Sequence, residues 1–190
     1  METDIGPGLP QVNIVGLAST TVMESRERIK SGLLNSGFEY PRRRVTVNLI
    51  PAGIRKNGSH LDLAIAMGIL GAMGYADADA LHEIGFIGEI SLQGDVCRVE
   101  GVLPMILGME KAGIRRFVLP AENLAEAELA RKAGAPGRSF GRSEIFKNAW
   151  MRFRVKKFRH RANASGRKFG QRNMRISAIS AARKMPSGRP

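Results

Sequence analysis

The sequence predicts an α+β domain followed by a basic tail of different composition. Strand-like apolar runs alternate with segments of helical periodicity from residue 12 to residue 132, and glycine or proline marks most of the junctions. In residues 151–190, by contrast, arginine alternates with small polar residues and apolar positions are few. We place the domain at residues 1–134, because Gly134 ends the last predicted helix, and a basic tail, expected to be disordered, at residues 135–190.

The first part of the domain is predicted as strand, helix and strand. A strand is expected at residues 12–17. Thr21 and Glu24 have the spacing of a capping box, so the helix is expected to begin there. Glu24 also stands four residues before Arg28, a spacing that favours a supporting ion pair on the exposed face of that helix. Residues 45–49 alternate in hydrophobicity, as an amphipathic strand does.

The most apolar helix is predicted at residues 61–73, after a loop that spans residues 49–58. Ser59 precedes Asp62 by three residues, a spacing typical of a helix cap. Because apolar residues occur nearly all round this helix, we expect it to be the central buried helix of the domain. A linker is expected from residue 76 to residue 81.

Residues 85–123 predict a hairpin, a helix and a strand in one unit. Two strand-like runs, residues 84–90 and 96–99, flank a short turn with Gly94 at its centre. The helix that follows carries Pro104 in its first turn, where a missing N–H is tolerated. The remaining elements are a strand at residues 117–119 and a helix at residues 121–132.

Cysteine and histidine usage limits the class of protein. The single cysteine, Cys97, excludes a disulfide framework and a cysteine-based zinc cluster, and we expect it to be a small core residue in a reducing, cytoplasmic compartment. His60, His82 and His160 are far apart in sequence, so no metal site is predicted. No apolar run approaches the roughly 20 residues of a membrane span. No membrane partner is therefore expected, and no small-molecule substrate is identified from the sequence.

The net charge of +13 comes from the tail. Residues 1–150 hold 17 Lys and Arg and 17 Asp and Glu, whereas residues 151–190 hold 13 Lys and Arg and no acid. The tail could therefore be a nucleic-acid-binding arm, solvated disorder or the product of a shifted reading frame, and the sequence leaves these three interpretations open. Possible nucleic-acid contacts in the tail are Arg152, Arg154, Lys156, Lys157, Arg159 and Arg161.

The domain contains one further candidate for nucleic-acid contact, the arginine triplet that precedes the strand at residues 45–49. Arg42, Arg43 and Arg44 could reach phosphate groups. Three cations at the beginning of a strand are also typical of a protected sheet edge, so both interpretations are retained.

Many segments resemble the N-terminal domain of the magnesium-chelatase-like AAA+ ATPases of the ComM/YifB type, and more distantly the Lon-protease domain. The resemblance covers about residues 2–130, and it implies a two-layer Lon-protease-domain-like fold, also described as ribosomal-protein domain-2-like. Relatives usually carry a strand before the Gly-Leu-Pro segment, for which we expect almost no room here. The resembling segments are Gly6–Pro10, Asn13–Leu17, Glu24–Arg28, Asn35–Phe38, Val45–Leu49, Asp62–Leu63, Gly88–Leu92, Gly101–Pro104 and Leu119–Asn123.

The resemblance also defines where catalytic groups would stand. Lon-type peptidases pair a serine nucleophile with a lysine base. When the glycines of this sequence are aligned with those of the Lon-type motifs, the serine position falls on His60 and the lysine position on Leu103. Ser59 lies one residue before the serine position. Neither half of the dyad is present, so we predict no catalytic residue.

The leading hypothesis is a non-catalytic accessory domain, truncated before the ATPase module, of a protein involved in DNA processing during natural transformation. ATP and magnesium are expected only for the full-length family, because G-x-x-x-x-G-K-[ST] occurs nowhere in the 190 residues. DNA and a second copy of the chain are possible partners. The alternatives are a stand-alone nucleic-acid-binding protein acting through its basic tail and a degenerate Ser–Lys peptidase.

Overall fold

The computed structural model describes residues 1–133, 145–147 and 174–175, and these form a mixed α+β structure of helices and small sheets. The helices are α1 (Thr20–Asn35), α2 (Asp62–Ala72), α3 (Ala78–His82), α4 (Val102–Lys111) and α5 (Leu124–Ala133). The strands are β1 (Glu2–Gly6), β2 (Gln11–Val15), β3 (Arg44–Asn48), β4 (Ile84–Phe86), β5 (Glu89–Ile90), β6 (Val96–Cys97), β7 (Arg116–Leu119), β8 (Ile145–Lys147) and β9 (Met174–Arg175).

The first sheet has the order β2-β3-β1-β9, with β2 parallel to β3 and β1 antiparallel to both of its neighbours. The expectation of almost no room for a strand before the Gly-Leu-Pro segment was wrong, because β1 occupies that place. Ile5 lies opposite Val45, and Thr3 lies opposite Val47. The sequence of β1 contains one large apolar residue and no alternation, so its strand structure comes from pairing with its neighbours.

The hairpin is shorter than predicted, because each of its strands has two residues. The run at residues 84–90 divides in two: β4 pairs in parallel with β7, which also pairs with β8, while β5 pairs antiparallel with β6. Glu89 lies opposite Cys97 in the hairpin. Gly94 stands in its turn with φ at +93°, a conformation that favours glycine, and its N–H donates to the Ser91 carbonyl at 2.9 Å.

Helix α2 is the central buried helix, as predicted. Each residue from Asp62 to Leu70 is buried, and α2 contacts α1, β1, β3, β4 and β5. Its side chains join those of the first sheet and of α1 in the larger hydrophobic cluster. Burying one Leu or Ile side chain contributes about 1.5–3 kcal/mol, so α2 supplies a large part of the folding free energy.

A second hydrophobic cluster lies between α4, α5 and β7. Helix α4 buries Val102, Ile106 and Met109, which recur at helical spacing on one face. Ala127 and Ala130 of α5 belong to the same cluster, and their small side chains allow the two helices to approach closely.

Several local predictions at helix ends were wrong. Helix α1 is capped by Ser19, whose Oγ accepts from the Val22 N–H at 3.4 Å, and not by the predicted Thr21 box. Ser59 begins a 3-10 turn without a side-chain cap. The predicted linker contains α3, where Asp77 accepts a hydrogen bond from the Asp79 N–H at 3.1 Å.

The tail prediction is mostly untested. Residues 145–147 and 174–175 are strands that pair with β7 and β1. The boundary at residue 134, the expected disorder and the six cationic contacts predicted between residues 152 and 161 lie outside the described residues. Within the described part of the chain, no helix is both long and apolar enough to cross a membrane.

The side chain of Asn123 forms hydrogen bonds that connect the segment between β6 and α4 to the segment that precedes α5. This side chain is buried and satisfies both backbone groups of Val99, as a neighbouring strand would. Its Oδ1 accepts from the Val99 N–H at 3.0 Å, and its Nδ2 donates to the Val99 carbonyl at 2.7 Å. The Asn123 Nδ2 also donates to Glu126 at 3.3 Å. Glu126 in turn accepts from the Leu103 N–H at 3.0 Å and thereby caps α4.

We predict that Asn123→Ala lowers the free energy of unfolding by roughly 2–3 kcal/mol, because it leaves two buried backbone groups of Val99 without partners. Urea unfolding followed by circular dichroism measures the change. The matched control is Glu122→Ala at the exposed neighbouring position, which should change stability by less than about 0.5 kcal/mol. Equal losses in the two variants would contradict the role given to the Asn123 amide.

Candidate functional site

The position that the sequence analysis assigns to the Lon-type serine lies at the amino end of α2. His60 belongs to the 3-10 turn Ser59–Leu61, and its carbonyl accepts from the Gly88 N–H at 3.0 Å. The Gly88 carbonyl accepts from the Leu63 N–H at 3.0 Å, so the beginning of α2 is tied to the junction between β4 and β5. The half-buried imidazole lies against Gly58, and burial lowers its pKa, which favours the neutral ring.

The position that the sequence analysis assigns to the Lon-type lysine lies in the first turn of α4. Leu103 packs its side chain against the second hydrophobic cluster, and its N–H is the one capped by Glu126. An apolar, partly buried side chain at this place cannot accept a proton from a nucleophile. The fold therefore uses the lysine position for packing.

An ion pair joins α1 to the beginning of α2. Arg28 donates from Nε and Nη2 to the Asp62 carboxylate at 2.8 and 3.2 Å, and Asp62 also accepts from the Ile90 N–H at 3.4 Å. The Asp62 side chain is 1% exposed and that of Arg28 is 23% exposed. The predicted partner of Arg28, Glu24, has only a longer-range electrostatic effect on it.

Burial raises the pKa of the Asp62 carboxyl, and the bond from Arg28 opposes that shift. The same hydrogen bond raises the pKa of the Arg28 guanidinium. With three N–H donors on the carboxylate, most of the cost of burying a charge is offset. The two residues serve the fold, because they hold α1, α2 and β5 together.

Lys56 is a buried cation in the segment that sequence analysis describes as a loop. Its Nζ donates to the carbonyls of Gly16, at 3.1 Å, and Pro51. Its backbone bonds to Leu17 and Ser19 at 3.1 and 2.9 Å, so it fixes this loop against the connection between β2 and α1. Burial lowers the pKa of the Lys56 ammonium.

The arginine triplet is exposed, as a nucleic-acid contact requires, but its members have different surroundings. Arg44 opens β3, and its side chain passes beside Gly8. Arg42 instead lines a surface cleft of about 370 Å³. Arg43, between them, is also exposed and does not line the cleft.

We call this cleft the basic cleft, and it is formed by three segments. Its walls are residues 10–12, residues 40–42, and Arg26, Glu27 and Lys30 of α1. The strand register explains why they meet. Gln11 of β2 lies beside Arg44 of the parallel strand β3, so the chain segments that enter the two strands are neighbours. Helix α1 connects the two strands and runs back along them, which brings residues in its middle to the same end.

The electrostatics of the basic cleft are dominated by cations. Arg26 donates from Nε to the Met23 carbonyl at 2.9 Å and from Nη1 to the Val12 carbonyl at 3.5 Å, so backbone oxygens hold its guanidinium. Burial, assisted by the Glu27 charge and opposed by Arg26, raises the pKa of Tyr40 to about 12. The phenol is therefore neutral at physiological pH.

Sequence analysis found Arg42 but missed the other cationic groups of the cleft. Arg26 and Lys30 stand four residues apart on a predicted helix, which is a visible signal for a shared face. That this face meets residues 40–42 depends on the strand register, which the sequence pattern does not specify.

The remaining predicted features give no further site. Cys97 is half-buried rather than a core residue, its Sγ lies 3.8 Å from the Asp95 carbonyl, and burial raises the pKa of the thiol. No group of three His, Cys, Asp or Glu side chains among the described residues could hold a metal ion.

Comparison with known proteins defines the class to which this α+β domain belongs. Residues 1–123 match the family described as subunit ChlI of Mg-chelatase. Because that match spans more than half of the sequence, the chain belongs to the ChlI family.

Its relatives include the competence protein ComM of Haemophilus influenzae, 40% identical over 68% of this chain and 25% of ComM. YifB of Salmonella typhimurium is 38% identical over 70% of this chain and 26% of YifB. Lon protease 2 of Thermus thermophilus is more distant, 26% identical over 68% of this chain and 16% of the protease. The chain thus spans about a quarter of the length of ComM and YifB, and the predicted family resemblance is confirmed.

We predict that Arg28 and Asp62 are energetically coupled. Arg28→Ala should cost about 3 kcal/mol, because it leaves the buried Asp62 carboxylate without its partner. Asp62→Ala should cost less, because the Arg28 side chain is partly exposed and water can take the place of the carboxylate. The double variant should cost at least about 1 kcal/mol less than the sum of the two. Urea unfolding of the four proteins measures the coupling.

The control for this cycle is Glu24→Ala, which removes the partner that sequence spacing suggests for Arg28. We expect a change below about 0.5 kcal/mol and no coupling with Arg28→Ala. Coupling to Glu24 that exceeds the coupling to Asp62 would show that the ion pair is assigned to the wrong carboxylate.

The neutral state of His60 predicts a pH dependence of stability. Because burial lowers its pKa below the ordinary value of 6.5, the unfolded chain binds a proton more readily than the folded one. Above pH 6.5, His60 is neutral in both states, and its full contribution to the unfolding free energy is present. That contribution is lost as the pH falls through 6.5 towards the pKa of His60 in the folded protein. Between about pH 7.5 and pH 5, the unfolding free energy of the native chain should therefore fall more than that of His60→Gln. Parallel pH profiles from urea unfolding would contradict this.

Proposed function

We propose that residues 1–134 form a non-catalytic accessory domain of Lon-protease-like fold that serves DNA processing in magnesium-chelatase-like ATPases. One observation carries the non-catalytic part of this proposal. The lysine position is occupied by Leu103, whose side chain packs into a hydrophobic cluster and whose N–H is capped by Glu126. Restoring a dyad there would require a charged amine to replace an apolar contact.

The Lon-like fold is supported by two findings that are independent of composition. The similarity to Lon protease 2 extends over 137 residues. In addition, the two dyad positions both fall at the amino ends of helices, His60 just before α2 and Leu103 in the first turn of α4. The same proposal treats residues 135–190 as a basic segment outside this domain, apart from strands β8 and β9, which pair with β7 and β1.

The link to DNA processing is supported by similarity to a competence protein and by exposed cations on the domain. Within the 190 residues no phosphate-binding loop motif occurs, so we propose that ATP and magnesium act only in other segments of family members. Self-association is proposed as for other AAA+ proteins, and a reducing, cytoplasmic compartment is proposed from the single cysteine.

A second candidate function rests on the charge distribution. Residues 151–190 carry 13 cationic residues and no acidic one, whereas residues 1–150 are balanced. A stand-alone nucleic-acid-binding protein would use this segment without sequence preference and with steep salt dependence. Its proposed contacts are Arg152, Arg154, Lys156, Lys157, Arg159 and Arg161.

The proposal predicts that the full chain has neither hydrolytic chemistry nor ATP affinity, yet binds DNA. A fluorophosphonate probe should leave Ser59 unlabelled, and calorimetry should detect no saturable ATP binding at micromolar concentrations. Fluorescence anisotropy should detect binding of a labelled oligonucleotide. Stoichiometric labelling that disappears in Ser59→Ala would overturn the non-catalytic assignment, and a chain that binds no DNA would overturn the DNA-processing role.

A further inference from the structure

We propose that the basic cleft is a binding site for single-stranded nucleic acid, in which Lys30 and Arg42 contact a backbone phosphate and Tyr40 supports the adjoining base. This inference rests on the proposed DNA-processing function and deepens it, because it names the surface of the domain and the form of nucleic acid that the surface takes.

The charge of the cleft favours a polyanion. Three cationic side chains and one acidic side chain line it. Neither the Arg28–Asp62 nor the Arg116–Glu83 salt bridge involves any of them. Lys30 and Arg42 are both exposed, so their charged ends can meet a phosphate at a small desolvation cost.

Arg26 contributes a charge that is already held in place. Its guanidinium donates to the Met23 and Val12 carbonyls at 2.9 and 3.5 Å, and no carboxylate of the described residues forms a salt bridge with it. Because these acceptors are neutral, the positive charge of Arg26 is not cancelled. Because the side chain is already ordered, little conformational entropy is lost when an anion binds. The Arg26 side chain therefore preorganises the cleft for an anion.

Tyr40 supplies the feature that separates a nucleic acid from other polyanions. The ring is half-buried, packs against the larger hydrophobic cluster and lines the cleft beside Pro41. Aromatic side chains next to cations are the usual means of holding single strands, since bases stack on the ring while phosphates meet the charges. An acidic peptide would use the cations and would make no use of the exposed part of the ring.

The size of the cleft favours a single strand over a duplex. A volume of about 370 Å³ is at the lower end of the range for small-ligand sites and suits one nucleotide unit. In a duplex the bases are stacked inside the helix and could not enter a concavity beside Tyr40. A single strand can turn one base into it.

The test uses the full chain and a labelled oligothymidylate that carries one 5-iodouracil for photocrosslinking. The chain contains two tyrosines, Tyr40 and Tyr75, so mass spectrometry distinguishes the two sites. We expect crosslinking at Tyr40. Tyr40→Leu should weaken binding roughly five- to hundredfold with little change in salt dependence, while Tyr40→Phe, which keeps the ring, should bind normally. Circular dichroism confirms that each variant is folded.

The arginine triplet offers a matched control for the charge contacts. Arg42→Gln and Arg43→Gln remove the same charge one residue apart, yet only Arg42 lines the cleft. Arg42→Gln and Lys30→Gln should each lower the slope of log affinity against log salt by about 0.7, and Arg43→Gln should not. Lys30 is exposed on α1, so this variant tests the site without disturbing the core.

Each alternative outcome has a defined meaning. Equal losses in Arg42→Gln and Arg43→Gln would show diffuse attraction and overturn the site. Crosslinks confined to other residues, equal affinity for duplex, or equally effective competition by polyglutamate would overturn it too, while the DNA-binding role of the chain would survive. A chain that binds no oligonucleotide would overturn both the cleft and the proposed function.

Discussion

The structure depends on how the buried helix α2 begins. The first turn of this buried helix carries a charged side chain, Asp62, whose carboxylate must be satisfied inside the protein. Asp62 brings a carboxylate into the interior, where Arg28 of α1 and the Ile90 N–H of β5 meet it. One residue thus holds three elements in register. The hydrogen bonds between Gly88 and the backbone of His60 and Leu63 add a fourth connection at the same place.

The elements with strong internal patterns could be predicted from sequence, and those formed through pairing could not. Helix α2 can be identified from the apolar residues on all its sides, and β3 from its alternating hydrophobicity. Strand β1 has no such pattern and exists because β3 and β9 pair with it on both sides. The partner of Arg28 was missed for a related reason. Spacing suggests Glu24 four residues away, but the contact is made with Asp62, 34 residues away.

The candidate site shows the same limit. The arginine triplet is obvious in the sequence, yet the structure gives its three members different roles, and only Arg42 lines the cleft. Arg26, Lys30 and Tyr40 could not be assigned to one surface without knowing that β2 and β3 are parallel neighbours. The motif ending in Asn123 was recognised through family resemblance alone. Its physical basis is the pair of hydrogen bonds with Val99, which spacing cannot predict.

Helix α1 keeps the structural ion pair of the domain apart from its proposed binding surface. Successive residues of a helix are turned by about 100°, so Arg26 and Lys30 share one face, while Arg28 points to nearly the opposite side. Ile29 and Leu33 occupy a buried face between them. The charge that holds α2 and the charges that line the basic cleft are therefore carried by the same helix without competing for the same space. A domain that has Leu103 where Lon-type enzymes have their lysine can still offer a charged surface to a substrate, because that surface belongs to α1, β2 and the segment before β3.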